Sequence, residues 1–82
     1  MQFLAVDWTQ HITIDPSVNH GRATLRSTRL PVTWILRSLA EEAGYQDVLA
    51  LYPEMSAEDI TACLKYAAEA VARPVYYDMR DL

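Results

Sequence analysis

The sequence predicts an α+β fold, mainly α. Its parts are a short N-terminal β-hairpin, a three-helix helix-turn-helix-like bundle and an extended C-terminal tail. Three observations predict it. Apolar and polar residues alternate over 12–15 and 23–26, on either side of a run of turn residues. From Val32 the apolar spacing becomes helical, interrupted at Gly44 and again at Tyr52 and Pro53. After Pro74 the alternation returns. The chain's 82 residues suit a single domain, divided into a hairpin at 11–26, a bundle at 31–73 and a tail at 74–82.

The hairpin rests on Ile12 and Ile14 alternating with Thr13 and Asp15, then Ala23 and Leu25 with Thr24 and Arg26. Asp15-Pro16 and Asn19-His20-Gly21 supply turn chemistry between them. Two strands are marginal alone, so they must pack on something else. The first helix begins at a proline, whose fixed φ suits a first turn. Val32, Ile35, Leu36, Leu39 and Ala43 fall on one face, and Gly44 is expected to stop it in the left-handed region. Tyr45, Val48, Leu49 and Tyr52 form the stripe of a short second helix ended by Pro53. The third helix has the clearest start. Ser56 is placed to cap it and Asp59 to reciprocate, with Met55 and Ile60 as a hydrophobic staple. Ile60, Cys63, Leu64, Ala67 and Val71 form its expected inner stripe, and Pro74 stops it.

Composition narrows the function. Seven Lys+Arg against eleven Asp+Glu give a net charge of −4, the wrong sign for a general nucleic-acid or anionic-membrane binder. The one cysteine, Cys63, leaves no intramolecular disulfide and no CxxC zinc site. A reducing cytoplasm is the expected location. No uncharged run exceeds the seven residues of 8–14 and 30–36, which is too short for a transmembrane helix. The apolar start at 1–6 lacks the basic region of a signal peptide. A chain this short buries only ~60% of its unfolded surface. A homodimer is therefore expected, and Ala62, Tyr66 and Ala70 offer a second apolar row on the third helix for it.

Catalytic and metal chemistry is not expected. His11 and His20 read as solvated loop histidines, Cys63 as a buried inert thiol. Nothing in the sequence orders a serine, histidine and aspartate as nucleophile, base and orienter. Two glycines leave no phosphate loop, and no cofactor is implied.

Charge is unevenly placed. Residues 1–40 carry Arg22, Arg26, Arg29 and Arg37 against Asp7 and Asp15, a net of +2; residues 41–82 carry three bases against nine acids, a net of −6. The four arginines are the candidate contacts to nucleic acid or an acidic partner, since a guanidinium fork suits phosphate and carboxylate alike. Arg29 also has a structural alternative, a stitch to helix-end carbonyls or to Asp59. The second and third helices have helix-turn-helix proportions, but Glu58 and Asp59 would face phosphates with the wrong sign. Protein-partner contacts are expected from Tyr66 and Ala70, and from the tail's Val75, Tyr76, Tyr77 and Met79. The tail's tyrosines and methionine are interface-like, and its alternation suits strand addition to a partner or to its own hairpin.

The order of these residues resembles the domain of unknown function family 433. Asp15-Pro16, Gly21-Arg22, Thr28-Arg29-Leu30-Pro31-Val32, Gly44-Tyr45, Tyr52-Pro53, Glu58-Asp59-Ile60 and Tyr66-Ala67 match its pattern in sequence. Ser27 departs from it, standing where the family usually has glycine. The resemblance implies a small helix-turn-helix-type domain, often encoded beside a nuclease-like toxin. It further implies an antitoxin role: binding that toxin and regulating its own operon. It implies no catalytic residues. A stand-alone DNA-binding regulator and a homodimeric structural module are the alternatives.

Overall fold

The computed structural model describes residues 5–42 and 44–72. An antiparallel pair, β1 (Ile12–Thr13) and β2 (Thr24–Leu25), precedes three helices: α1 (Val32–Glu41), α2 (Tyr45–Leu51) and α3 (Ala57–Ala72). The α+β, mainly α class is as the sequence predicts. The proposed tail at 74–82 and Ala43 of the first stripe lie outside the described residues.

Pairing of Ile12 with Leu25 and Thr13 with Thr24 sets the hairpin register. Asp15 starts the connection as an Asx-turn, its Oδ1 accepting from the Ser17 amide at 2.8 Å and hydroxyl at 2.7 Å. Asn19, His20 and Gly21 then take left-handed φ values of 48°, 57° and 83°. Asn and Gly tolerate that region best, which is why this tripeptide turns here. Beyond β2 the chain turns back through Arg29, at φ 63°. The Arg29 amide donates to the Leu25 carbonyl at 2.9 Å, and the Leu25 amide to the Leu30 carbonyl at 3.0 Å. A bridge joins Thr24 to Pro31. The segment entering α1 thus supplies the third rung that a bare hairpin lacks.

Strict alternation does not hold in so short a sheet. Ile12 and Leu25 are buried, but Ile14 is exposed and Thr24 is fully buried. Ile14 lies past the last pair, where the Asp15 turn swings it outward. Thr24 is held inside by hydrogen bonds: its Oγ1 donates to the Arg22 carbonyl at 2.8 Å and accepts from Asn19 Nδ2 at 3.0 Å.

Pro31 is the N-cap of α1 rather than a first-turn residue, extended at ψ 141°. Val32 and Ile35 reach the core, with Leu36 and Leu39 packed against it. Gly44 is not the left-handed stop that the sequence suggests. Its φ of −171° and ψ of 173° are extended, and it caps the start of α2 instead. Val48 anchors α2 in the core, and Leu49 and Tyr52 pack beside it.

The α3 cap is as read from the sequence. Asp59 N–H donates to Ser56 Oγ at 3.2 Å, and Ser56 N–H donates to Asp59 Oδ2 at 3.1 Å. Met55 and Ile60, the staple pair, are both buried. The inner stripe is rotated, however. Ile60 and Cys63 are buried, but so are Asp59 and Ala62, while Leu64 is 50% and Val71 85% exposed. The cause is residues 8–10, which no periodicity marks. They form a 3-10 turn, Trp8–Gln10, that packs against α3. Trp8 meets the Tyr66 ring edge-on, with centroids 5.0 Å apart at 72°. Covering this side of α3 turns its buried face away from Leu64 and toward Ala62 and Tyr66.

Candidate functional site

Two polar assemblies stand out. The first centres on Asp59, placed at the third position of α3 by its cap. Its Oδ1 lies 2.8 Å from His11 Nδ1, and its Oδ2 accepts from the Ser27 hydroxyl at 2.8 Å and from the Ser56 amide. Three segments distant in sequence therefore converge on one carboxylate: the end of the 3-10 turn, the turn after β2, and the α3 start. Burial opposes the ionised form, but the bonds from His11, Ser56 and Ser27 outweigh it and hold the Asp59 pKa below the usual carboxylate value.

His11 is thus a partner of Asp59 rather than a solvated loop residue. Serine, aspartate and histidine do meet, but Asp59 stands between the other two. Ser27 donates to the carboxylate, so no bond from its hydroxyl to the imidazole prepares it as a nucleophile. The arrangement clamps; it does not activate. Ser27 is not among the residues with left-handed φ, so its side chain is accommodated and becomes one arm of the clamp. Arg29 does not reach Asp59; its carbonyl accepts from Asn19 Nδ2 at 3.1 Å. Arg26 Nη2 donates to the Thr9 carbonyl at 3.3 Å.

The second assembly is a cleft of about 480 Å³ lined by Gly21, Arg22, Ala23, Thr33, Arg37 and Tyr66. It unites two of the four arginines with one of the expected partner-contact residues. The hairpin connection supplies Arg22, α1 supplies Thr33 and Arg37, and α3 supplies Tyr66. Arg26 and Arg29 do not line it. Ala70 is half-buried farther along α3. Val75, Tyr76, Tyr77 and Met79 lie outside the described residues.

Elsewhere on α3, Trp8 Nε1 donates to Glu69 Oε2 at 2.6 Å and Lys65 Nζ to the Val6 carbonyl at 2.9 Å. A groove of about 260 Å³ runs between the helices, lined by Leu39, Tyr45, Ala57, Ile60, Thr61 and Leu64. None of these is charged. Cys63 is fully buried, and burial followed by the nearby Asp59 charge pushes its thiol up to about 12. Among the described residues no three His, Cys, Asp or Glu side chains group as metal ligands. No described helix is long and apolar enough to cross a membrane.

The sequence signals missed the Asp59 clamp because its arms are 48 and 32 residues away from it. The sequence places Asp59 among the early exposed positions of α3, whereas the structure buries it.

A hairpin held to a three-helix unit, with its polar clamp at the third helix start, defines a class of small helical α+β domain. The model of the family described as Protein of unknown function (DUF433) matches residues 12–67, and the chain belongs to that family. The match runs from β1 through Ala67, so it includes every residue of the clamp except His11. No curated protein and no solved structure matches the chain.

Proposed function

We propose that this chain is a non-enzymatic, protein-binding module of antitoxin type, which acts by sequestering a nuclease-like protein. The observation that carries the reading is the uncharged groove of Leu39, Tyr45, Ala57, Ile60, Thr61 and Leu64. Tyr45 and Leu64 are about half exposed there, and Trp34, Leu51 and Val71 are exposed elsewhere on the helices. Tyr45 and Leu64 share one uncharged groove, and a contiguous apolar patch of that kind supports a docking surface. The DNA-reading alternative is weaker. Glu58 and Asp59 open α3, and Lys65 is engaged with Val6, which leaves α3 poor in free positive charge for phosphates. Self-association belongs to the same proposal, because an 82-residue core is marginal by itself.

Co-expression with the nuclease-like protein of an adjacent reading frame tests it. We expect a complex that co-migrates on size exclusion and relieves growth arrest, and that Leu64→Asp abolishes at unchanged melting temperature. Failure of the wild-type chain to bind, together with a salt-sensitive shift of operon DNA by the chain alone, would overturn the reading. Sedimentation showing only a 9.3 kDa species at micromolar concentration would remove the self-association part.

A further inference from the structure

Arg22 and Arg37 are exposed, line one cleft, and make no side-chain hydrogen bond or ion pair among the described residues. No carboxylate lines that cleft with them. Such a place is unusual in a chain with eleven acids and seven bases. Two cations that line one cleft with no acid between them, beside apolar low-dielectric groups, give it a positive potential. Its other lining is mixed: Tyr66, whose ring also packs edge-on with Trp8, and the small residues Gly21 and Ala23. Thr33 adds a hydroxyl. The volume, about 480 Å³, leaves room for a short peptide segment.

We propose that this cleft docks an acidic, carboxylate-bearing peptide segment of a protein partner, a proposal that rests on the protein-binding reading above. Carboxylates would take the two guanidinium forks, and an apolar or aromatic side chain would lie on Tyr66. A nucleic-acid backbone fits less well. It presents a line of phosphates and needs bases along that line. Arg26 is tied to Thr9 and Arg29 sits in its own turn, both outside the cleft. Glu41, one turn beyond Arg37, lines the adjoining notch with Trp34, Ser38 and Tyr52, so the positive lining ends there and suits a short acidic segment rather than a long line of phosphates.

The test is an NMR titration of the full chain with the capped peptide Glu-Glu-Tyr-Glu-Glu, observing arginine Nε–H signals. Saturable shifts are expected at Arg22 and Arg37. Arg22→Ala and Arg37→Ala should each weaken binding roughly fivefold at low salt, as for exposed ion pairs, while Arg26→Ala leaves it unchanged. All three side chains are exposed, so folding is preserved. Equal weakening by Arg26→Ala, no saturation at millimolar peptide, or displacement of the peptide by random duplex DNA would each overturn the proposal. A final arm uses the adjacent-frame protein. If its complex survives the Arg22→Ala/Arg37→Ala pair unweakened, the cleft assignment fails and the protein-binding reading stands. If it never forms, that reading fails, and the peptide titration still judges the cleft.

Discussion

Removing the Asp59 carboxylate should destabilise the domain far more than removing any other acid. The side chain accepts from His11, Ser27 and the Ser56 amide, and is 6% exposed. A hydrogen bond to a charged group contributes about 1.5–3 kcal/mol and a cap about 1 kcal/mol. Two corrections reduce the sum. Ser27 and Ser56 are exposed and regain water, and losing a buried charge recovers its desolvation cost. The net expectation for Asp59→Ala is a loss of about 2–3 kcal/mol. Total stability for this length is about 4–12 kcal/mol. At about 4–8 °C per kcal/mol the melting temperature should fall by roughly 10–20 °C.

The pH dependence gives an independent check. The folded pKa of Asp59 lies below the usual carboxylate value, because the bonds from His11, Ser56 and Ser27 outweigh its burial. Its contribution is therefore present above about pH 4 and is lost as pH falls through the folded value. Asp59→Asn should flatten the acid limb of a urea-derived stability curve. Some slope should persist from Asp7, held low by the Thr9 hydroxyl and amide, and from Asp15, held low by the Ser17 amide and hydroxyl. A double-mutant cycle between His11→Ala and Asp59→Ala should return a coupling of about 1 kcal/mol or more. A change in stability under about 0.5 kcal/mol for Asp59→Ala, or an acid limb of Asp59→Asn parallel to that of the parent, would refute the clamp.

Two other outcomes follow from the same geometry. Restoring the family's glycine with Ser27→Gly should cost about 1–2 kcal/mol, from the lost bond to Asp59 and the freer unfolded chain. A gain in urea midpoint instead would mean the turn prefers a glycine conformation. Cys63, with its thiol near 12, should be inert to a disulfide reagent at pH 8 until denaturant is added. Native-state modification at the rate of a free thiol would contradict its burial.

The sequence by itself determined whatever depends on near neighbours. The α3 start was legible because Ser56, Asp59, Met55 and Ile60 act within a single turn, where spacing and geometry are the same thing. The hairpin turn was legible because Asp15, Asn19 and Gly21 each have strong backbone preferences. The resemblance, read over residues 12–70, carried the family, which the family model matches over 12–67. What only the tertiary structure decided depends on distant segments meeting. Gly44 has no side chain to declare whether it ends one helix or begins the next, and packing chose the extended cap of α2. Helical spacing alone left α3 two candidate stripes, and the Trp8–Gln10 turn settled which side is covered. Arg22 and Arg37 read as two of four candidate contacts until the hairpin connection and α1 brought them into one cleft with Tyr66. His11, Ser27 and Asp59 carry no mutual spacing at all. A buried carboxylate is tolerated only where donors converge on it, and that convergence is a property of the fold.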